Sequence, residues 1–164
     1  MRVMSKWVLV VVALLFAVSG AVAQNVPNFS GNFSLVPDNA RMRNVVVTLG
    51  VEQTATSIQV TRTVNGKTEV EKDMLDGSTR EWKTSTGAPV KAFVKWHGSE
   101  LWFDSIATAS INGRTMRIHT SQRWQLSKDG DTITEKIETD APDMPTEVSS
   151  VVFQPYVHVF KRMK

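Results

Sequence analysis

From residue 24 onward, apolar and polar residues alternate with a period of two, in short runs rich in Val, Ile, Thr and aromatics. No stretch sustains apolar positions at i, i+3, i+4 and i+7. This pattern predicts an all-β chain with strands over 29–35, 44–53, 56–64, 68–75, 80–85, 90–96, 99–111, 114–126, 132–139 and 147–160, the last interrupted at Pro155. Between the runs stand Asn65-Gly66, Asp76-Gly77, Thr86-Gly87, His97-Gly98, Asn112-Gly113 and Asp129-Gly130. Asn-Gly and Asp-Gly suit tight hairpins because both central residues of a type I′ turn take positive φ.

Slipping a strand by one residue moves every side chain to the opposite face, so the predicted turns can be tested for self-consistency. A two-residue turn at His97-Gly98 sets Val94 against Leu101 and Ala92 against Phe103. Asn112-Gly113 then sets Ala107 against Ile118, Ser105 against Thr120, Phe103 against Gln122 and Leu101 against Trp124. One face collects Val90, Ala92, Val94, Trp96, Leu101, Phe103, Ala107, Met116, Ile118 and Trp124. The other brings Lys95 to Glu100, Phe93 to Trp102, Lys91 to Asp104, Trp102 to Arg123 and Ile106 to His119, joining opposite charges and aromatics. Asp129-Gly130 places Leu126 opposite Ile133 but Arg123 opposite Lys136, a point where the sheet could twist apart. At Asn65-Gly66 a two-residue loop sets Val60 against Glu71. A three-residue loop aligns Ile58, Val60 and Val64 with Met74, Lys72 and Thr68 and keeps more apolar groups together.

An antiparallel up-and-down meander of about ten strands with one apolar face buries that face most simply by closing into a barrel. A two-sheet sandwich is the alternative, with the Pro-bearing segment 140–147 as the crossover. The 164 residues, 41% hydrophobic and 21% charged, are ordinary for one globular domain. The formal charge of +3 includes Arg2 and Lys6 of the leader, so the remainder is nearly neutral and gives no footprint for nucleic acid. With no cysteine, disulfides, thiol nucleophiles and Cys-ligated zinc are excluded. Residues 1–23 have the three-part form of a secretory signal: Arg2 and Lys6, the apolar run Trp7 to Val18, then Ala21-Val22-Ala23 before Gln24. The apolar run is short of the roughly 20 residues a spanning helix needs. The expectation is a signal helix cleaved after Ala23, membrane contact only through that segment, and a secreted or periplasmic domain over 24–164.

Phe29-Ser-Gly-Asn-Phe-Ser-Leu35 resembles the Phe-x-Gly-x-Trp-x-Leu first-strand signature of the lipocalin and fatty-acid-binding superfamily, with Phe33 in the tryptophan position. Trp124-Gln-Leu-Ser-Lys-Asp-Gly-Asp-Thr-Ile-Thr134 and Val159-Phe160-Lys161-Arg162 look like the hairpin and final strand of small secreted bacterial lipocalin-like proteins. The resemblance implies a lipocalin-like barrel whose first strand pairs with its last, with Arg162 covering Phe33. Segment 36–44 is too short for the two-helix lid of fatty-acid-binding proteins, and no Thr-Asp-Tyr lipocalin motif is present.

With the apolar face inward, Trp96, Phe103, Ser105, Met116, Ile118, Thr120, Gln122 and Trp124 form a ligand-binding set, mostly apolar with a few hydrogen-bonding groups. The competing reading is a filled barrel in which Ser105 and Thr120 bond each other, as in a structural or interaction protein of the cell envelope. Lys91, Lys95, Trp102, Arg117, His119 and Arg123 on the other face could take an anion or, through Trp102, a sugar. Interleaved Asp104 and Glu100 favour a salt-bridged outer surface. Asp104, His119 and Ser121 share that face without a nucleophile elbow. His97, His119 and His158 lack metal-ligand spacing, and Asp129-Gly130-Asp131 is too short for a calcium loop. The sequence thus predicts an exported, non-catalytic binder of a small apolar ligand, without cofactor or metal.

Overall fold

Period-two alternation becomes ten strands in the computed structural model, which describes residues 26–37, 44–84, 87–111, 114–144 and 153–164. They are β1 (Gly31–Val36), β2 (Val47–Gln53), β3 (Ser57–Val64), β4 (Lys67–Met74), β5 (Arg80–Lys83), β6 (Pro89–His97), β7 (Glu100–Ile111), β8 (Arg114–Leu126), β9 (Thr132–Asp140) and β10 (Tyr156–Arg162). The predicted signal segment 1–23, residues 38–43 of the 36–44 connection, Thr86, Asn112-Gly113, and 147–152 of the last predicted strand lie outside the described residues. All ten strands form one antiparallel sheet in the order β4-β3-β2-β1-β10-β9-β8-β7-β6-β5, a nearly closed barrel rather than two stacked sheets. The two terminal strands, β4 and β5, share no ladder. An isolated bridge from Asp76 to Lys95 and the bond from Gly77 N to Val94 O draw the end of β4 toward β6 instead. Asp76-Gly77, expected to close a hairpin, therefore marks the barrel's seam.

Register follows turn chemistry. Ile111 faces Arg114 and Leu101 faces Trp124, as a two-residue connection between β7 and β8 requires. Leu126 faces Ile133, and the β8–β9 ladder continues without separation to His119 and Asp140. The like charges Arg123 and Lys136 are both relieved by Glu138, at 3.1 and 2.7 Å. Two expectations are corrected. The β6–β7 turn is Gly98-Ser99, with His97 pairing Glu100, so Val94 faces Phe103 and Ala92 faces Ser105; on the outer face Phe93 faces Asp104 and Lys95 faces Trp102. Gly98 has φ +62°, the conformation that a first central glycine supplies in a type II′ turn. The shift is two residues, so the inward and outward sets survive it. The β3–β4 turn is the two-residue alternative: Asn65 (φ +48°) and Gly66 (φ +84°) form the type I′ pair, and Val60 faces Glu71. Turn geometry here overrides the gain from aligning apolar residues, and it directs Glu69, Glu71 and Asp73 inward.

The inward face is densely packed toward one end. Phe29, Phe33, Leu49, Ile58, Leu101, Trp124, Ile133 and Phe160 are each almost fully buried. Phe29, just before β1, seals this plug, with its ring centroid 5.9 Å from that of Trp124 and 6.0 Å from that of Trp96. Burying aromatic and aliphatic side chains stabilises such a core by about 1.5–3 kcal/mol each.

β1 joins β10 with Phe33 opposite Arg162. The guanidinium lies 4.5 Å from the centroid of the Phe33 ring and donates to the carbonyls of Gly130 (2.7 and 3.0 Å) and Ser30 (3.0 Å). Gly31 makes room for it: φ is +142°, and a Cβ would fall on Arg162 Nη1. Gly31→Ala should therefore destabilise more than Gly66→Ala, whose added methyl meets open space, although both carry a strained φ worth about 1–3 kcal/mol. In urea denaturation the excess cost of Gly31→Ala should shrink in an Arg162→Ala background; an undiminished cost would show that the clash is not with Arg162.

Candidate ligand-binding site

Inward positions beyond the plug are polar as well as apolar. On the β3–β4 side they are Val60, Arg62, Glu69, Glu71 and Asp73; across the barrel, β7 and β8 supply Phe103, Ser105, Gln122 and Trp124. Between these walls lies a cavity of about 240 Å³ lined by Val60, Arg62, Glu69, Glu71, Phe103, Gln122 and Trp124. A smaller pocket of about 90 Å³ shares Glu71, Phe103 and Gln122 with it and extends to Asp73 on β4 and to Arg80 and Trp82 on β5. The two spaces thus run along the interior toward the β4–β5 seam.

Glu135 on β9 is the most deeply buried charge. Arg62 Nη2 donates to it at 2.6 Å, Trp124 Nε1 donates at 3.0 Å, and His158 Nδ1 lies 2.9 Å away. Burial pushes the Glu135 carboxyl up, but His158, Arg62 and the Trp124 indole together outweigh burial and hold it below its ordinary range. The ring of Tyr156, 4.9 Å from that of His158, extends the cluster. Burial raises the Tyr156 pKa, and the Glu135 charge adds to the shift. At the seam, Arg80 of β5 reaches across to β4, donating to Asp73 at 2.7 and 3.5 Å and lying 3.8 Å from Glu71. Its guanidinium also stacks over Trp82, 4.0 Å from the ring centroid. This pairing links two strands that share no backbone hydrogen-bond ladder.

The eight residues expected to form the ligand set all occupy inward positions, but they do not line one space. Phe103, Ser105, Gln122 and Trp124 border the interior cavities. Trp124 belongs to the plug as well, its ring centroid 4.8 Å from that of Phe103. Trp96 packs on Phe29 and borders a separate hollow with Val26, Gln53 and Leu75. Met116, Ile118 and Thr120 are half-buried farther along β8. Thr120 Oγ1 lies 3.3 Å from Thr139 Oγ1, so its partner is on β9 rather than Ser105. Sequence reasoning did not identify Arg62, Glu69, Glu71, Asp73, Arg80, Glu135 and His158 as interior. The available signal was the Asn65-Gly66 turn: two loop residues put the β4 carboxylates on the face of Ile58 and Val60.

The outer face carries several paired charges. Trp102 has His97 stacked at 3.9 Å and the Arg123 guanidinium at 4.4 Å from its ring, and its Nε1 donates to Glu100. Those contacts compete with sugar stacking. Lys91 pairs with Glu81, Arg123 with Glu138, and Arg117 with Asp143, whose carboxyl it holds at about 2 through hydrogen bonds. His119 lies 3.9 Å from Asp104 and 3.7 Å from Asp140. Among the described residues no group of three His, Cys, Asp or Glu is arranged to hold a metal ion.

No protein-family model matches the chain, and no curated protein matches it in sequence. Solved structures do match. Apo lipid binding protein 8 of Caenorhabditis elegans superposes with a TM-score of 0.54 at 9% identity, covering 85% of this chain and 99% of that one. The fatty acid transporter REP1-NXSQ superposes with a TM-score of 0.52 at 12% identity, covering 82% and 96%. The shared feature is the fold, a lipocalin and fatty-acid-binding-like β-barrel.

The Glu135 cluster predicts a pH signature. Because the folded carboxyl titrates below its ordinary value of 4.5, its stabilisation is complete above that pH and is lost as pH falls through the lowered value. Glu135→Gln leaves Arg62 and His158 without their carboxylate and should cost about 3–5 kcal/mol at pH 7. The difference from wild type, followed by chemical denaturation, should narrow at pH 3; a constant difference would refute the assignment.

Proposed function

We propose that this is a non-catalytic binding protein that holds a small, largely apolar ligand with a polar group inside the barrel, and that residues 1–23 direct its export and are removed after Ala23. One observation carries the binding reading: the interior cavity of about 240 Å³ has Phe103, Trp124 and Val60 on its wall beside Arg62, Glu69, Glu71 and Gln122. A wall divided between apolar and polar groups suits an amphiphile, the apolar part driving entry and the polar groups fixing orientation. The fold supports the same reading, since the similar solved structures carry the names of a lipid binding protein and a fatty acid transporter. Phe103, Ser105, Gln122 and Trp124 are the contact residues in this proposal. Met116, Ile118 and Thr120 border the farther part of the interior, and Trp96 supports the plug. A filled barrel serving as an envelope structural protein is the competing reading, and the packed end around Phe29 and Trp124 favours it for that half.

Titration with decanol, followed through tryptophan emission, tests the proposal because Trp124 borders the cavity. Saturable quenching is expected. Ser105→Phe, which fills the adjoining pocket, should weaken binding at least about tenfold while leaving a cooperative thermal transition. Emission unchanged by decanol would favour the filled barrel. For export, intact-mass measurement of protein from its own exported fraction should give a chain beginning at Gln24; an uncleaved chain would refute that part.

A further inference from the structure

The chemical character of the cavity is set by which charges in it are already committed. The inward-facing charged side chains bordering the two interior spaces are Arg62 and Arg80 against Glu69, Glu71 and Asp73. Both guanidiniums have close carboxylate partners: Arg62 meets Glu135 at 2.6 Å, and Arg80 meets Asp73 at 2.7 Å. Glu71 receives only the outlying 3.8 Å approach of Arg80, and Glu69 has no hydrogen bond or ion pair among the described residues. The cavity's uncommitted charge is therefore negative and lies on β4. Across from it stand the tilted aromatic pair Phe103 and Trp124, with Gln122 on the same wall. Carboxylates on one side and the partly exposed Phe103 ring on the other both attract positive charge, and a partly enclosed space strengthens that attraction relative to water. A carboxylate head entering the same space would meet Glu69 and Glu71 and would have to displace Glu135 or Asp73 from its arginine.

Resting on the binding reading above, we infer that the ligand is a cationic amphiphile, an apolar body carrying an amine or quaternary ammonium head that is seated against Glu69 and Glu71. The two carboxylates are exposed in the unliganded barrel, so they keep their water until the ligand arrives. Glu69 has no part in the seam, and Glu71 adds only the 3.8 Å approach to a link that Arg80 already makes with Asp73 at 2.7 Å. Their inward direction is a direct product of the type I′ turn at Asn65-Gly66, which sets the whole of β4 in register with β3.

Three ligands with the same chain and different heads test this: decyltrimethylammonium, decanol and decanoate, each titrated below its micelle concentration at pH 7. The expected order is cation, then alcohol, then carboxylate, with the cation binding about tenfold tighter than the alcohol at low salt and the gap closing as salt is added. The Glu69→Gln/Glu71→Gln variant, with circular dichroism and melting temperature like wild type, should bind the cation no better than the alcohol. Decanoate binding as tightly as the cation, or a cation preference that survives in the double variant, would overturn the head-group assignment and leave the cavity reading standing. Failure of all three to bind would overturn the cavity reading itself, and this inference with it.

Discussion

Pairing of the first strand with the last is the constraint on which the barrel depends. A meander of hairpins is held locally by its turns, but it closes only if chain segments about 130 residues apart meet, and the loop-closure entropy of that contact must be offset where it forms. Arg162 supplies much of the join. Its guanidinium covers the Phe33 ring and donates to Ser30 and Gly130 carbonyls, tying β10 to the entry of β1 and to the β8–β9 turn. Beneath it, Phe33, Phe160, Leu49 and Ile133 come from four neighbouring strands and bury one another. An open sheet would leave that surface and two strand edges in water.

With closure made at β1–β10, the remaining discontinuity falls between β4 and β5. There the ladder is replaced by side-chain links, chiefly Arg80 to Asp73 and Glu71. Ion pairs of partly exposed groups are individually weak compared with a run of backbone hydrogen bonds. The seam is consequently the side of the barrel at which separation breaks fewest interactions. The interior spaces reach this same side, through Asp73, Arg80 and Trp82. A dense plug around Phe29 at one end and a polar-lined space toward the seam are two consequences of one closure.

Much of this was legible because side-chain direction in a sheet depends only on parity. The β7–β8 register followed from Asn112-Gly113, and the two-residue error at His97-Gly98 moved cross-strand partners without moving any residue to the wrong face. Arg162 over Phe33 was readable from the resemblance of the end strands. The charged half of the interior was not. Weighing apolar alignment above turn geometry favoured a three-residue loop at Asn65-Gly66, which would have turned Glu69, Glu71 and Asp73 outward. Glu135 and His158 were equally hidden: each is unremarkable in its own strand, and only β9–β10 pairing sets them side by side beneath Trp124.

Those interior charges separate two physical roles. Glu135 is fully buried and has three partners, an arrangement that specifies how β3, β8, β9 and β10 meet but adds less stability than its contacts suggest, because desolvating the carboxylate and Arg62 costs several kcal/mol per ion. Had packing alone governed the interior, aliphatic residues would have served there. Glu69 and Glu71 are different in kind: they face inward from β4 yet remain exposed, across from Phe103 and Trp124. Such carboxylates are compatible with the fold only because the space they face is open to water. Water there hydrates Glu69 and Glu71 but solvates the opposing Phe103 ring poorly. A ligand that replaces it must therefore satisfy both surfaces at once, which neither a bare hydrocarbon nor a simple ion does.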